Sequence, residues 1–438
     1  MKPASTTDPR TQAADPFDAD CASVPEGRRG SLSRALGIVI AALAAAGLLA
    51  AGCAPRGDGD VAPEAAGKPS SELAAPAIAV STGLGFLKDR DVHQAQFAGG
   101  TDGSLYVVWR QPADGRGSDL WLARRGEGGV FTPPVRINDL PGTVANVDLD
   151  ESRAGVAVGP DGLIAVAWTA RGSDIRAAIS RDGGASFEPS LNLNSDEGAG
   201  AYRGFVDIDV DAAGIAHAAW IDGRFAPPRA EEPAELYYAR IEDDLVTEIN
   251  LTEQQADSIC GCCRIDVDVR DDDTLVIAFR NTGGGYRDVF RVEAGTADRA
   301  FGEPARLGPP MWELRGCPVI GPLNVGDATL WSEASTGKRR ILAAVDTGGD
   351  FEVIAEDGEA WSIERPPRRV VGAPPGEGLL LLPGRPGGKI LRGAGSSWTV
   401  AAEDIPRWAM SAAVIGADLV LLGDLDGEAQ AESRPLNF

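Results

Sequence analysis

The stretch SRDGGASF, from Ser180 to Phe187, decides how the rest of the chain is interpreted. It continues from residues 173–180, which we interpret as a β-strand that follows the repeated pattern. An aspartate followed by two glycines is suited to a tight turn, because the carboxylate accepts hydrogen bonds from the turn's own backbone and glycine takes a positive φ without steric cost. We therefore predict a structural, non-catalytic turn. Its defining positions are Ser180, Asp182, Gly184 and Phe187.

Outward from this turn, one short pattern recurs seven times: an Asp or Gly turn, then four or five β-forming residues that end on a large apolar one. The end residues are Trp109, Trp168, Trp220, Phe279, Trp331, Leu382 and Leu422. Their spacing of 40 to 59 residues is near the length of a four-stranded propeller blade. The sequence predicts an all-β fold, a β-propeller of four-stranded blades, and we favour seven blades over six. Residues 77–82 are expected to complete the short last blade.

The stretch 180–187 matches the Asp-box pattern Ser-x-Asp-x-Gly-x-x-aromatic at every defined position. Degenerate copies of the motif occur at the same place in other repeats, at 128–131, 297–301 and 346–351. On these motifs the chain resembles the sialidase-like (BNR, Asp-box) propellers. The resemblance implies that the box lies between the third and fourth strands of a blade, on the face opposite the ligand site. It also implies that the ligand face carries the loops that enter the first strands and those that follow the second strands.

Arginines recur in both kinds of loop. Arg153 and Arg203 enter first strands, and the candidates for ligand binding are Arg110, Arg171, Arg224, Arg264, Arg280 and Arg315. Guanidinium groups around one opening select a carboxylate, sulfate or phosphate through paired hydrogen bonds. The alternative is that these arginines brace neighbouring blades through salt bridges with aspartates. Both interpretations stay open.

The sequence does not assign an enzymatic activity. Sialidase chemistry, as the family implies it, uses three arginines, a Tyr nucleophile assisted by Glu, and an Asp acid/base. The Arg-Ile-Pro or Arg-Leu-Pro motif of that family is absent, and neither Tyr202 nor Tyr286 in the predicted ligand-face loops lies in a matching motif. The catalytic residues are therefore unknown. An exo-glycosidase acting on an acidic sugar is the alternative to a binding protein.

Four cysteines follow the N-terminal region: Cys260, Cys262, Cys263 and Cys317. An even number of cysteines in an exported protein is typical of disulfides, and four of them allow three pairings. They lie in loops that enter the first strands of the fourth and fifth repeats, so one bond would join adjacent blades. The alternative is a thiolate site for a soft metal such as Cu(I). We expect disulfides and no metal, and with only two histidines a His-based zinc site is not expected.

The N-terminus has the order of an export signal. Arg28 and Arg29 precede an apolar run, 35–52, that ends directly before Cys53. The run LLAAGC resembles a bacterial lipoprotein signal, which implies acylation of Cys53, although Ala50 stands where that family usually has Leu. A plain signal peptide or an uncleaved anchor is the alternative. We predict an export signal over 1–53, a flexible linker over 54–76 and the propeller over 77–438.

The net charge of −24 argues against nucleic acid as a partner. The sequence contains no P-loop, dinucleotide fingerprint or Gly-x-Ser-x-Gly motif, and no cofactor is expected. The expected protein is a monomer of the bacterial cell envelope that is anchored by its N-terminal lipid alone and faces the periplasm or exterior. Its expected partner is an anionic small molecule, a glycan or an envelope protein.

Overall fold

The computed structural model describes residues 82–436, except 114, 116, 148–149, 196–200, 225–233, 256, 298–299, 315–317, 319, 348 and 375. The predicted export signal, Cys53 and the linker lie outside these ranges. Within them the chain forms strands and five short 3-10 turns, at Leu84–Leu87, Glu127–Gly129, Asp150–Ser152, Pro160–Gly162 and Gly283–Gly285. None of the described segments is a helix of the length and hydropathy that a membrane crossing requires.

Five four-stranded antiparallel sheets follow one another, each with its strands in chain order. The first sheet is β1 His93–Gly99, β2 Leu105–Pro112, β3 Ser118–Arg124 and β4 Val135–Arg136; the second is β5 Gly155–Val158, β6 Ile164–Thr169, β7 Ile175–Ser180 and β8 Leu191–Asn192. The third is β9 Arg203–Val210, β10 Ala216–Asp222, β11 Glu235–Glu242 and β12 Leu245–Asn250. The fourth is β13 Asp266–Val269, β14 Thr274–Arg280, β15 Val289–Gly295 and β16 Ala305–Arg306; the fifth is β17 Leu323–Val325, β18 Ala328–Glu333, β19 Arg340–Ala344 and β20 Glu352–Glu356.

Residues 362–435 form one two-stranded and one seven-stranded sheet. The former pairs β21 Ser362–Ile363 with β24 Gly384–Arg385; the latter contains β22 Arg368–Val371, β23 Gly378–Leu382, β25 Gly388–Ala394, β26 Ser397–Ile405, β27 Ala409–Ile415, β28 Asp418–Leu425 and β29 Glu428–Pro435. The seven strands are an antiparallel group of four (β22, β23, β25 and β26) and an antiparallel group of three (β27–β29). A short parallel pairing of β22 with β27 joins the two groups.

The first strands of these groups form a closed ring. β1, β5, β9, β13, β17, β22 and β27 each contact the next one in this order, and β27 contacts β1. Sheets arranged radially around a central channel define a β-propeller, so the predicted fold class is confirmed. The preference for seven blades over six stays a prediction, because 77–81, expected to complete the group of three, lie outside the described residues.

The second strands hold most of the core. All six residues of β6 are buried, as are all seven of β10, because neighbouring sheets cover both of their faces. The seven residues that end the repeated pattern, from Trp109 to Leu422, are each at most 2% exposed. Burying a large apolar side chain contributes about 2 kcal/mol, which explains why the repeat ends on such a residue.

Side chains also join neighbouring first strands. The carboxyl group of Asp209 on β9 accepts a hydrogen bond from the Val269 N–H of β13 at 2.7 Å, and that of Asp266 on β13 accepts one from the Asn324 N–H of β17 at 2.8 Å. Where the ring closes, the Ser411 hydroxyl of β27 accepts one from the Phe97 N–H of β1 at 2.9 Å. These bonds pair backbone donors that are buried between sheets.

The stretch 180–187 is a turn between β7 and β8, the third and fourth strands of their sheet. Asp182 accepts hydrogen bonds from the Ser186 hydroxyl at 2.6 Å and the Ser186 N–H at 2.9 Å, and the Ser180 hydroxyl accepts one from the Gly184 N–H at 2.9 Å. These donors, the Ser186 hydroxyl first, lower the pKa of Asp182 to about 2. Gly184 has a φ of 84°, and Phe187 packs against the core of the first two sheets.

Candidate anion site at the mouth of the central channel

A cavity of about 340 Å³ occupies the central channel, and all seven first strands of the ring contribute to its wall. The end where these strands begin is charged, with Arg153, Arg264 and Arg368 in the wall. The opposite end is apolar and is lined by residues such as Val158 and Val210. A ligand with formal charge would therefore find its partners at the first end.

Five residues make up that charged end, which we call the mouth cluster: Glu151, Arg153, Asp207, Arg264 and Arg368. Arg368 Nη1 lies 2.9 Å from Glu151 Oε1, and Arg153 Nη1 lies 4.0 Å from the same oxygen. Arg264 donates to the backbone carbonyls of Glu151 at 3.3 Å and Arg153 at 2.7 Å, and it pairs with Asp207 at 2.5 Å. Three guanidinium groups thus share two carboxylates.

Electrostatics in the mouth cluster reflect this excess of cations. Burial opposes ionisation of Glu151, but the charges of Arg368, Arg153 and Arg264 outweigh it and lower the pKa of this carboxyl. Burial and repulsion from Arg368 and Arg264 push the pKa of Arg153 well below its ordinary value. The Arg153 side chain is also the most accessible of the three, at 18% exposure against 7% for Arg368 and 6% for Arg264. Arg153 is therefore the member best placed to meet an anion.

From Asp207 of the mouth cluster inward, aspartates at alternate positions of β9 and β13 line the same cavity: Asp207, Asp209, Asp266 and Asp268. Burial and the charge of Asp268 raise the pKa of Asp209 to about 7, and burial and the charge of Asp207 raise that of Asp266 to about 8. Arg369 of β22 lies 2.8 Å from Asp268 and 3.9 Å from Asp266. Because neighbouring buried carboxylates cannot all ionise cheaply, Asp209 and Asp266 hold protons near neutral pH.

The arginines predicted from the loops are tied into the structure by different partners. Arg110 is buried and donates to the Ser118 hydroxyl at 3.0 Å. Arg280 is buried and donates to the carbonyls of Ile320 at 3.1 Å and Ser332 at 3.0 Å, which belong to the next repeat. The Arg280 contacts join adjacent blades, whereas the Arg110 contact joins β2 to β3 within the first sheet.

Of the remaining candidates, Arg224 is held in ion pairs and Arg171 is exposed. Arg224 pairs with Asp222 at 2.6 Å and Glu248 at 2.5 Å, and its guanidinium stacks 4.1 Å from the ring centre of Tyr237. Arg171 is exposed after β6, and Arg315 lies outside the described residues. Of the five that the structure describes, Arg264 lines the channel cavity. A ligand role for the others stays a prediction.

Sequence reasoning missed Glu151 and Arg368 as site residues. It noted Arg153 as an arginine that enters a first strand, but not that it shares a carboxylate with Arg368. One usable signal was present: FVDIDV at 205–210 and IDVDV at 265–269 alternate apolar residues with aspartates on strands otherwise expected to be buried. Such acidic alternation on two neighbouring first strands indicates a polar channel wall.

The cysteines lie in the loop that enters β13. Cys260 and Cys263 are buried thiols, Cys262 is disulfide-bonded, and Cys317 lies outside the described residues. The backbone N–H of Cys260 donates to the Arg280 carbonyl at 2.7 Å, which connects the loop to the end of β14. Because Cys260 and Cys263 are thiols, the structure differs from the predicted pairing of all four cysteines into two disulfides.

No family model and no curated protein matches the chain. Solved structures with a similar fold include an α-L-arabinanase of Penicillium chrysogenum, with 11% identity, a TM-score of 0.44 and coverage of 67% of this chain and 90% of that one. A PL25 ulvan lyase has 11% identity and a TM-score of 0.42, with coverage of 80% of this chain and 95% of that one. The β-propeller domain of the trilobed protease of Pyrococcus furiosus has 9% identity and a TM-score of 0.45, with coverage of 79% of this chain and 98% of that one. Similarities at this level carry no argument about what the chain binds or does.

Proposed function

We propose that this chain is an envelope-anchored, sialidase-like propeller that binds an anionic ligand at the mouth of its central channel. The ligand carries a carboxylate, sulfate or phosphate, as a small molecule, a glycan or part of an envelope protein. One observation carries the proposal: Arg153, Arg264 and Arg368 converge on one cavity and share only Glu151 and Asp207 within the mouth cluster.

The electrostatic reason is the repulsion among the three guanidinium groups. Burial, together with this repulsion, lowers the pKa of Arg153, so the mouth cluster without a ligand holds this cation at a cost. An anion placed beside Arg153 would offset the repulsion, and charge-assisted hydrogen bonds to guanidinium are the stronger kind in proteins. The surrounding protein has a net charge of −24, so the mouth is a local exception to its acidic surface.

The position of the Asp-box turn supports the sialidase-like part of the proposal. β5, β6, β7 and β8 are consecutive antiparallel strands, and the mouth lies where β5 begins. The turn after β7 is therefore at the opposite end of the sheet, as the resemblance implies. The envelope part rests on the apolar run 35–52 before Cys53. Mass spectrometry of the mature protein tests it, since an acylated Cys53 at the N-terminus is expected.

Calorimetric titration of the detergent-solubilised full-length chain tests the binding. We expect it to bind glucuronate, sulfate or phosphate, and we expect Arg153→Gln and Arg368→Gln to weaken binding about tenfold or more, because each removes a charged hydrogen bond worth about 1.5–3 kcal/mol. Arg291→Gln is the matched control, since Arg291 is also buried and paired but lies on β15, outside the cavity. Equal weakening by all three variants would contradict the site.

One observation favours an acidic-sugar glycosidase as a second candidate. Asp266 lies in the same cavity and, with a pKa of about 8, carries the proton that a general acid needs at neutral pH. An activity screen on glycosides of acidic sugars, with Asp266→Asn as the inactive variant, separates an enzyme from a binding protein. Hydrolysis that survives in Asp266→Asn would exclude this assignment.

A further inference from the structure

Three sulfur atoms meet in the loop that enters β13. The Cys260 sulfur lies 3.3 Å from that of Cys263 and 3.5 Å from that of Cys262. All three sulfurs lie within 4.8 Å of one another, which places them within reach of a single metal ion. The residues are 1%, 1% and 8% exposed in that order, so the cluster is enclosed by protein.

The environment of these sulfurs is apolar. They belong to the same buried cluster as Ile259, Ile265 and Phe279. Burial, followed by the neighbouring Cys260, raises the pKa of the Cys263 thiol well above its ordinary value, while the charge of Arg280 opposes the rise. A thiol with these properties is a poor nucleophile for an external partner, because the thiolate is the reactive form. The cluster therefore does not fit an exposed redox-active site.

The donor set instead fits a soft cation. It consists of sulfur alone, and thiolate ligands select ions such as Cu(I) over the hard ions that prefer oxygen. A bound cation also supplies the charge that allows a buried thiol to ionise. Arg280, whose charge already acts on Cys263, offsets part of the negative charge that three thiolates leave after binding one monovalent ion.

We propose that Cys260, Cys262 and Cys263 bind one Cu(I)-class ion as thiolates when the protein is reduced. Because Cys262 is disulfide-bonded in the structure, a thiol reductant must first cleave that bond. Two reductant thiols become a disulfide, and the two protein sulfurs become thiols. Binding then releases the protons of the three coordinating thiols to solvent. The site is thus filled in the reduced protein and loses one of its three ligands on oxidation.

The test is an anaerobic titration of the full-length chain with Cu(I) against a chromogenic Cu(I) chelator, after reduction and removal of the reductant. We expect one tightly held ion per reduced chain and at least a tenfold weaker affinity in the oxidised protein. Cys263→Ser is expected to weaken binding at least tenfold. Arg153→Gln, at the anion site, is expected to leave it unchanged, so this site and the anion site fail independently.

X-ray absorption of the copper-loaded wild-type protein keeps the proposal falsifiable if Cys263→Ser does not fold. The expected first shell contains three sulfurs. A reduced chain that takes up no Cu(I), a shell dominated by nitrogen or oxygen, or a folded Cys263→Ser variant with unchanged affinity would each overturn the proposal.

Discussion

Aspartates in two regions of this propeller show opposite pKa shifts. On the exposed turn after β7, hydrogen bonds from Ser186 lower the pKa of Asp182 to about 2. In the central channel, burial and neighbouring carboxylates raise the pKa of Asp209 to about 7 and that of Asp266 to about 8. Hydrogen-bond donors around an exposed carboxyl group thus favour its charged form, whereas burial beside like charges favours the neutral form. The charged Asp182 stabilises the turn through its hydrogen bonds, whereas Asp209 and Asp266 hold protons in the channel beside the mouth cluster.

The largest effect on stability is expected from removing Arg264, a buried cation at the mouth of the channel. Arg264→Ala removes the partner of Asp207 and the donor to two backbone carbonyls, all in a buried site. Removing one member of a buried pair costs about 3 kcal/mol or more, so urea unfolding should show a loss of this size. Arg171→Ala, at an exposed arginine, should change stability by less than about 0.5 kcal/mol. A similarly small change in both variants would contradict the described role of Arg264.

A second prediction concerns how stability depends on pH through the protonated Asp209 and Asp266 of the channel. Since the folded-state pKa values of Asp209 and Asp266 lie above the unfolded value near 4, the native protein binds more protons than the unfolded one between about pH 4 and pH 8. Stability should therefore fall as pH rises through this window. Asp266→Asn mimics the neutral form and should flatten the slope.

Denaturant unfolding at pH 5 and pH 8 measures this slope for wild type, Asp266→Asn and Asp209→Asn. A wild-type stability that rises over the same interval, or an Asn variant with an unchanged slope, would show that these carboxyls are ionised in the folded protein.

The smallest effect is expected at the turn. Because the pKa of Asp182 is lowered, its contribution to stability is present above about pH 4 and is lost as pH falls toward 2. Asp182→Asn should lower the thermal midpoint slightly at pH 7 and match wild type near pH 2. A larger difference at pH 2 than at pH 7 would reverse the assigned sign.

The two regions also differ in how far the sequence could predict them. The turn is local: Ser180, Asp182 and Gly184 contact one another within five residues, so their spacing alone indicates the geometry. The repeated Trp and Phe positions predicted the second strands for a similar reason, since each repeat buries its own apolar end residue. Fold class followed from these two local patterns.

The mouth cluster is non-local, and this explains why it was found only in part. Glu151 lies just before β5 and Arg368 begins β22, so the two meet because these first strands share the ring, and no spacing in the sequence encodes that contact. Arg264 was singled out from its loop and does line the cavity, but the partners of Arg110 and Arg280 include backbone carbonyls and a hydroxyl that no motif marks. Arginine recurrence identified the relevant loops and could not separate bracing residues from ligand residues.

Anion binding by the mouth cluster can be observed in a crystal structure of the full-length chain with selenate, a sulfate analogue that scatters anomalously. We predict an anomalous peak within hydrogen-bonding distance of the guanidinium groups of Arg153 and Arg368, and its loss in Arg153→Gln. Peaks elsewhere on the protein with no peak at the mouth, or a mouth peak that persists in Arg153→Gln, would contradict the account.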